Sequence, residues 1–262
     1  MSKKFVDQSY FQGLSPESVK HEVIVETVKE VLKLAKKELN KPISSLRVLD
    51  VGSGWGEYAF ELERHVKEVV AVEPYEPLHL KAIENKRLRK SKARFYNALI
   101  EDFETTDRFD VVLSLTTIEH MPEVEASFRK IYSLMSDKSI VYITAPNRLW
   151  PVDTHYPLYF LNYMPLWMAN YFVRRSGRGT SFEDSSYALT YLQTKKLLNK
   201  FDWTYYFVLP DPNAAYLGCG EDSHYSKLIK RLGIGLIRRF SFMWMISKGF
   251  IIVAKKDASR PR

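Results

Sequence analysis

Cysteine is nearly absent from this 262-residue chain, and long hydrophobic runs are missing. The single cysteine, Cys219, has no second cysteine with which to form an internal disulfide, and a cysteine-rich zinc site needs several thiolates. No apolar segment reaches the roughly 18 residues that a membrane span requires, and the first residues lack the apolar run of a signal peptide. We therefore expect a cytoplasmic protein from a reducing compartment, with no transmembrane segment.

The composition is that of a globular protein. Hydrophobic residues make up 45% and charged residues 27% of the chain, which is enough apolar material to bury a core. We expect a single domain over residues 1–262. The net charge of +8 favours anionic partners, such as nucleic acid or an anionic lipid surface, although many ordinary protein surfaces carry a similar surplus.

The hydrophobic pattern alternates between strands and helices. A helix is predicted over residues 15–40, with Ser15 as its N-cap and Pro16 in its first turn. Short apolar runs then alternate with helical stretches, which predicts a parallel sheet with helices on both faces. The predicted strands are 48–51, 69–72, 93–96, 109–115, 139–144, 204–209 and 250–254, and the predicted helices are 57–65, 77–90, 122–135 and 195–200, the last capped by Thr194.

Two insertions interrupt the alternation. Residues 147–190 carry a dense aromatic segment, which is either a lid over an acceptor pocket or a small auxiliary core. Residues 211–245, between the last two strands, contain a basic amphipathic helix that would touch an anionic surface. The basic run at 86–90 is interpreted as a solvated helix face.

A glycine-rich turn follows the first predicted strand. In a dinucleotide-binding turn the glycines follow the pattern G-x-G-x-x-G, whereas here the third glycine, Gly56, comes one residue earlier. The next residue is Glu57, whose negative charge would repel a pyrophosphate. The pattern instead suits a ligand with an amino-acid end, which an aspartate and backbone amides can hold. The residues of this candidate site are Asp50, Gly52, Ser53, Gly54 and Gly56.

A second acidic residue, Glu73, ends the next strand. A carboxylate in that place can accept both hydroxyls of a ribose. After the third strand, Glu101 or Asp102 is a candidate to receive an adenine amino group. Together these positions predict a nucleoside-containing ligand at the carboxyl edge of the sheet.

These motifs resemble the class I S-adenosylmethionine-dependent methyltransferases, within the type-11 and type-23 group that includes ubiquinone-pathway and other small-molecule enzymes. The resemblance covers residues 45–147 and implies an α/β, Rossmann-like seven-stranded sheet with a reversed final strand. It implies S-adenosylmethionine as cofactor, with its methionine end at residues 50–56, its ribose at Glu73 and its adenine near Ile100 and Glu101. Leu115, which ends the fourth strand, is a further expected cofactor contact.

The segment after Leu115 bears on the acceptor. It lacks the Asn/Asp-Pro-Pro-aromatic motif of amino-group methylases of bases, and no motif surrounds Cys219 as a nucleophile, so an oxygen acceptor is favoured. Some relatives hold a divalent metal with Glu-x-x-Glu-His here. This chain has Thr116 in place of the first glutamate, so we expect no metal, and whether Glu119, His120 and His155 hold one is left open.

His155, just beyond the fifth strand, is the candidate catalytic base. Methyl transfer from a sulfonium needs an aligned acceptor and, for a hydroxyl, removal of its proton. Asp153 would orient His155 or serve as the base itself, and His120 is the third candidate catalytic residue. A structural role for the histidine remains an alternative.

The sequence thus predicts O-methylation of a small or lipid-linked acceptor, with peripheral membrane contact and no obligate protein partner. The alternatives are an RNA methyltransferase, suggested by the charge of +8, and a non-catalytic cofactor-binding subunit. Nucleic acid is not the favoured partner.

Overall fold

The computed structural model describes residues 19–211 and 224–257, and these form one seven-stranded sheet with the order β3-β2-β1-β4-β5-β7-β6. Strands β1 to β5 run parallel, and β7 is antiparallel to both of its neighbours. The predicted α/β fold class, with its reversed final strand, is confirmed. The strands are β1 (Arg47–Val51), β2 (Glu68–Val72), β3 (Arg94–Tyr96), β4 (Phe109–Leu115), β5 (Met135–Pro146), β6 (Thr204–Phe207) and β7 (Gly249–Asp257).

Helices cover both faces of the sheet, which makes two apolar cores. One core lies under the face that carries Leu49 and Val51, and the other lies under the face that carries Val48. All seven residues of β4 are buried, as expected for a central strand of a parallel sheet. The helices are α1 (His21–Leu39), α2 (Glu57–Leu62), α3 (Glu76–Arg89), α4 (Val124–Leu134), α5 (Leu166–Arg175), α6 (Tyr191–Leu198) and α7 (His224–Arg239).

The first helix packs against the sheet through Val28, Val31, Leu32 and Ala35, as its helical apolar spacing predicts. The helix begins at His21. The residue before it, Lys20, has an extended backbone, and its side chain makes no capping hydrogen bond. The predicted cap at Ser15 and Pro16 lies outside the described residues.

The predicted start of the sixth helix is wrong. The helix begins at Tyr191, and its N-cap is Thr190, whose side chain accepts a bond from the backbone of Gln193 while the Gln193 side chain accepts one from the Thr190 backbone. The hydroxyl of Thr194, the predicted cap, bonds instead to the Thr190 carbonyl at 2.9 Å. A capping box satisfies two otherwise orphaned N–H groups at once, which is why Thr190 prevails over Thr194.

Both insertions leave the sheet at the edge where the parallel strands end. Pro146, the last residue of β5, pairs with Gly249, the first residue of β7. The side-chain amide of Asn147 donates to the carbonyls of Met245, the last residue of the other insertion, and of Ser247 just after it, both at 2.9 Å. The two insertions therefore meet beside the edge at which ligands of open α/β sheets bind.

Part of the aromatic insertion forms a third small core, with Tyr156 and Phe182 packed around Leu161 and the inner face of α5. Tyr159, Trp167 and Tyr171 stay exposed. The segment is thus partly an auxiliary core and partly an exposed aromatic surface. Among the described helices, none is long and apolar enough to cross a membrane.

Candidate functional site

The turn between β1 and α2 requires glycine at three positions, because Gly52, Gly54 and Gly56 all have positive φ, at 74°, 55° and 89°. A Cβ at Gly52 would lie 2.4 Å from the Thr117 side chain, and one at Gly56 would lie 2.7 Å from the ring of Phe95. A Cβ at Gly54 would meet nothing within 4 Å. The turn is therefore packed on both flanks, and at its tip its backbone is open to a ligand.

The N–H groups of this turn are largely used within the protein. Those of Gly52 and Ser53 donate to the Val72 carbonyl, and that of Gly56 donates to the Ser53 carbonyl at 2.9 Å. The Gly54 N–H donates to a carboxylate oxygen of Glu73 at 2.7 Å. A ligand can therefore approach the backbone of this turn closely, but few of the turn's N–H groups are available to donate hydrogen bonds to it.

Glu73 joins the ends of three strands. Its second carboxylate oxygen accepts from the Tyr75 N–H at 2.8 Å, and its own carbonyl accepts from the Asn97 side chain after β3. Burial raises the pKa of Glu73 to about 7, against the two backbone bonds, which favour the ionised form. Each carboxylate oxygen accepts one bond here and has capacity for a second, which is what recognition of a ribose diol needs.

Asp50 lies beneath the turn, 2% exposed. Burial, and then the charge of Glu73, raise the pKa of Asp50 to about 7. Among the described residues, neither Asp50 Oδ2 nor the hydroxyl of Ser53 has a hydrogen-bond partner. Two unsatisfied buried polar atoms beside an open glycine turn indicate a site that a polar ligand completes.

The three other predicted cofactor residues lie at the same edge. Leu115, which ends β4, and Ile100 are both buried, each in the core on one face of the sheet. One carboxylate oxygen of Glu101 accepts a bond from the Ser127 hydroxyl on α4. The assignment of adenine to Ile100 and Glu101 stays a prediction.

Thr117 joins the glycine turn to the loop that follows β4. Its hydroxyl lies 3.1 Å from the carbonyl oxygens of both Val51 and Leu115, to which its one proton can be donated, and its methyl group occupies the space that a Gly52 side chain would need. The short 3₁₀ turn Ile118–His120 follows directly. This contact holds Glu119 and His120 next to the turn, and no sequence motif indicated the role of Thr117.

Glu119, His120 and His155 form a compact polar cluster, here called the acceptor-side cluster. One donor atom from each lies within 4.8 Å of the others. His155 Nε2 is 3.8 Å from Glu119 Oε1, and the two imidazole rings meet edge to face with centroids 4.9 Å apart. The structure thus brings together residues of the β4 loop and of the aromatic insertion.

Burial sets the charge states of this cluster. It raises the pKa of Glu119 to about 8, with a further contribution from Asp153, and it lowers the pKa of His155 to about 4. Both shifts favour the uncharged forms, a protonated Glu119 and a neutral His155. A neutral imidazole has a lone pair that can accept a proton or a ligand.

Asp153 holds the loop backbone and not the imidazole. Its Oδ1 accepts from the N–H groups of His155 and Tyr156, both at 2.8 Å, and the Asn162 amide donates to its Oδ2 at 3.3 Å. The nearest approach to His155 Nδ1 is 4.0 Å, which is too far for a hydrogen bond. The group beside Nδ1 is the Thr154 hydroxyl, at 3.3 Å.

His120 is oriented by a residue that the sequence did not indicate. Its Nδ1 lies 2.6 Å from the carbonyl oxygen of Asp184. A carbonyl can only accept, so Nδ1 carries the proton and the lone pair is on Nε2. Because the contact is to backbone, no residue type at position 184 could have predicted it.

The comparisons with known proteins agree with this architecture. The family model of the methyltransferase domain matches residues 19–189. Ubiquinone biosynthesis O-methyltransferase from Rhodopseudomonas palustris strain TIE-1 is 28% identical over 112 residues, which are 41% of this chain and 43% of that protein. A second relative with the same name, from Rickettsia bellii strain OSU 85-389, is 29% identical over 106 residues, covering 40% and 44%. The chain thus aligns with less than half the length of these curated relatives.

Solved structures share the fold at low identity. The plantazolicin methyltransferase BamL, in complex with a triazolic desmethylPZN analog and SAH, superposes with a TM-score of 0.58 at 16% identity, over 95% of this chain and 94% of that one. The YcgJ protein of Bacillus subtilis gives a TM-score of 0.54 at 14% identity, over 87% and 98%. Since the family model covers well over half of the chain, and the sheet, glycine turn and strand-end carboxylates fit it, this chain belongs to the methyltransferase domain family.

Proposed function

We propose that this chain transfers a methyl group from S-adenosylmethionine to an oxygen of a small or lipid-linked acceptor. The observation that carries the proposal is the contact of Thr117 with Val51 and Gly52, because it places the acceptor-side cluster against the glycine turn. A cofactor held by Asp50 and Glu73 would then direct its methyl group toward His155. The names of the ubiquinone-biosynthesis relatives and the SAH-bound neighbours support this reading.

The chemistry asked of the protein is modest. The sulfonium supplies its own leaving group, so the protein must align the acceptor oxygen for in-line displacement and deal with its proton. We assign that proton to the acceptor-side cluster, with the neutral imidazole of His155 as the accepting group. Its side chain is only 8% exposed, so little water competes for that position.

Two alternatives remain distinguishable by experiment. An RNA methyltransferase would bind RNA in a salt-dependent way and methylate it, because the phosphate backbone dominates such binding. A non-catalytic subunit would bind cofactor through Asp50 and Glu73 and turn over no acceptor.

Calorimetric titration of the full chain with S-adenosylmethionine and S-adenosylhomocysteine tests the proposal first. We expect one site with a dissociation constant in the micromolar range for both, since residues 19–211 and 224–257 contain one such glycine-rich turn, that of Gly52, Gly54 and Gly56. Methyl transfer to hydroxylated apolar compounds, followed as S-adenosylhomocysteine release, then tests the acceptor class. Binding of neither compound would contradict the cofactor assignment, and transfer only to RNA would replace the acceptor class.

We further propose that the two insertions contact an anionic lipid surface, where a lipid-linked acceptor would be found. Both meet at the sheet edge that carries the site, and both combine exposed apolar side chains with arginines. Aromatic and leucine side chains partition into the interfacial region of a bilayer, and arginines bind its anionic headgroups. The exposed apolar residues are Leu166, Trp167, Tyr171 and Phe172 on α5 and Leu228, Leu232 and Leu236 on α7, and the exposed arginines are Arg174, Arg175, Arg238 and Arg239.

Co-sedimentation with lipid vesicles tests this contact. We expect the chain to sediment with phosphatidylglycerol vesicles and to remain in solution with phosphatidylcholine, and 0.5 M salt should weaken the binding by screening. Leu232→Ser should reduce the bound fraction severalfold. Leu88→Ser is the matched control, because Leu88 is a 75% exposed leucine among basic residues on α3. Equal loss in both variants, or no binding to either vesicle, would contradict the proposal.

A further inference from the structure

Glu119 is the least satisfied side chain on the acceptor side of the site. Its side chain is 1% exposed, and neither of its carboxyl oxygens has a hydrogen-bond partner among the described residues. A buried polar group without a partner costs about 1–3 kcal/mol, so such a group in a functional site calls for a ligand. The groups around Glu119 indicate which ligand would satisfy it.

Two imidazoles lie beside this carboxyl group, and each has a contact at its Nδ1. Nδ1 of His120 donates to the Asp184 carbonyl, which directs the lone pair to Nε2. Nδ1 of His155 lies by the Thr154 hydroxyl, and its Nε2 points at Glu119. A ring nitrogen fixed by a backbone carbonyl or a hydroxyl, with the other nitrogen turned to a common point, is the usual arrangement of metal-binding histidines.

We propose that Glu119, His120 and His155 bind a divalent transition-metal cation, with His155 as the third ligand in place of the family's first glutamate. The three donor atoms lie within 4.8 Å of one another, and ligands that share a zinc ion lie about 3–4 Å apart, so small side-chain rotations complete the set. One carboxylate and two imidazoles select Zn²⁺ or its first-row neighbours over Mg²⁺. The proposal rests on the proposed function and departs from the expectation, drawn from the sequence, of no metal. With a cation bound, His155 would be a ligand and its Nε2 would no longer accept the proton of the acceptor hydroxyl.

The position of the missing glutamate supports this substitution of ligands. Thr116 has a positive φ of 50°, and its hydroxyl donates to the Leu115 carbonyl at 2.7 Å, so its oxygen is engaged with its own backbone. The aromatic insertion supplies His155 instead, through the turn that Asp153 holds. A cation bound there would act as a Lewis acid and make an acceptor hydroxyl more acidic.

Zinc binding by the chelator-treated full chain tests the proposal without requiring turnover. In competition with a chromophoric chelator, we expect one equivalent of Zn²⁺ bound with a dissociation constant at or below the micromolar range. Glu119→Gln and His155→Ala should each weaken binding at least 30-fold. His65→Ala is the matched control, because His65 Nε2 lies 3.4 Å from a Glu61 carboxylate oxygen on the protein surface, and its zinc affinity should equal that of the unmodified chain.

S-adenosylhomocysteine binding, measured on each variant, shows that it is folded and separates this proposal from the proposed function. Cofactor binding with no stoichiometric zinc would overturn the metal site and leave the methyltransferase intact. Zinc binding that Glu119→Gln does not weaken would likewise overturn it. Zinc bound through these residues by a chain that binds no cofactor would uphold the metal site and contradict the function.

Discussion

Asp50→Ala should reduce the affinity for S-adenosylhomocysteine at least 100-fold, measured by calorimetry at pH 8. Asp50 lies beneath the open tip of the glycine turn, and its Oδ2 has no partner among the described residues. A charged hydrogen bond from a ligand amino group to a buried carboxylate contributes about 1.5–3 kcal/mol, and removing its acceptor leaves the donor unpaired. The lost hydrogen bond and the unpaired amino group of the ligand both weaken binding to the variant.

Asp50 should have opposite effects on stability and on cofactor binding: it lowers the stability of the ligand-free protein above neutral pH and strengthens binding of the cofactor. Burial, and then the charge of Glu73, raise the pKa of Asp50 from its ordinary value of 3.8 to about 7 in the folded protein, so between these pH values the folded state holds a proton that the unfolded state has lost. Stability contributed by this group is full below about pH 4 and is lost as the pH rises to about 7. Asp50→Asn removes that loss, on the order of 4 kcal/mol, and should raise the melting temperature of the ligand-free protein at pH 8 by about 8 °C or more while weakening cofactor binding.

Asp110→Ala is the control for both effects. Asp110 is also a nearly buried aspartate, but it lies at the opposite end of the sheet and accepts from the Arg47 N–H and the Lys41 ammonium. Its loss should lower the melting temperature and leave cofactor affinity unchanged. If Asp50→Ala binds S-adenosylhomocysteine as the unmodified chain does, Asp50 is not part of the cofactor site.

The fold could be predicted where local pattern and burial agree. Strand β4 was predicted at its observed bounds, because all seven of its residues are buried and the apolar run ends at the exposed Thr116. Strand β5 begins earlier than predicted, at Met135, because Met135 pairs with Phe109 of β4 and Lys138 pairs with Asp257 of β7, on either side of the polar residues before Ser139. The cap of α6 was misplaced because two threonines compete there, and only the bond from Gln193 decides between them.

The candidate site likewise has one part that the sequence predicts and one part that it does not. The positions of Asp50 and Glu73 follow from the ends of neighbouring parallel strands, which a sequence pattern indicates directly. The acceptor-side cluster does not follow, because the approach of His155 to Glu119 depends on how the aromatic insertion folds back over the β4 loop. Its small core of Tyr156, Leu161 and Phe182 determines that path, and such packing between distant segments carries no periodic signal.

His155→Ala should lower the rate of methyl transfer by the chelator-treated chain by about 100-fold to 10,000-fold, because general-base catalysis contributes on that scale. Cofactor affinity should change less than about threefold, since none of the contacts described for the glycine turn involves this ring. The measurement is single-turnover formation of S-adenosylhomocysteine with an acceptor identified in the screen, alongside calorimetry.

Thr154→Val provides the graded comparison for His155. It removes the hydroxyl 3.3 Å from Nδ1 and keeps the imidazole, so the ring loses part of its orientation, and the rate should fall by about threefold to tenfold. A purely structural role for His155 would reduce cofactor affinity and melting temperature together with the rate. A rate that is normal in His155→Ala would remove this residue from the reaction and leave His120 as the remaining imidazole beside Glu119.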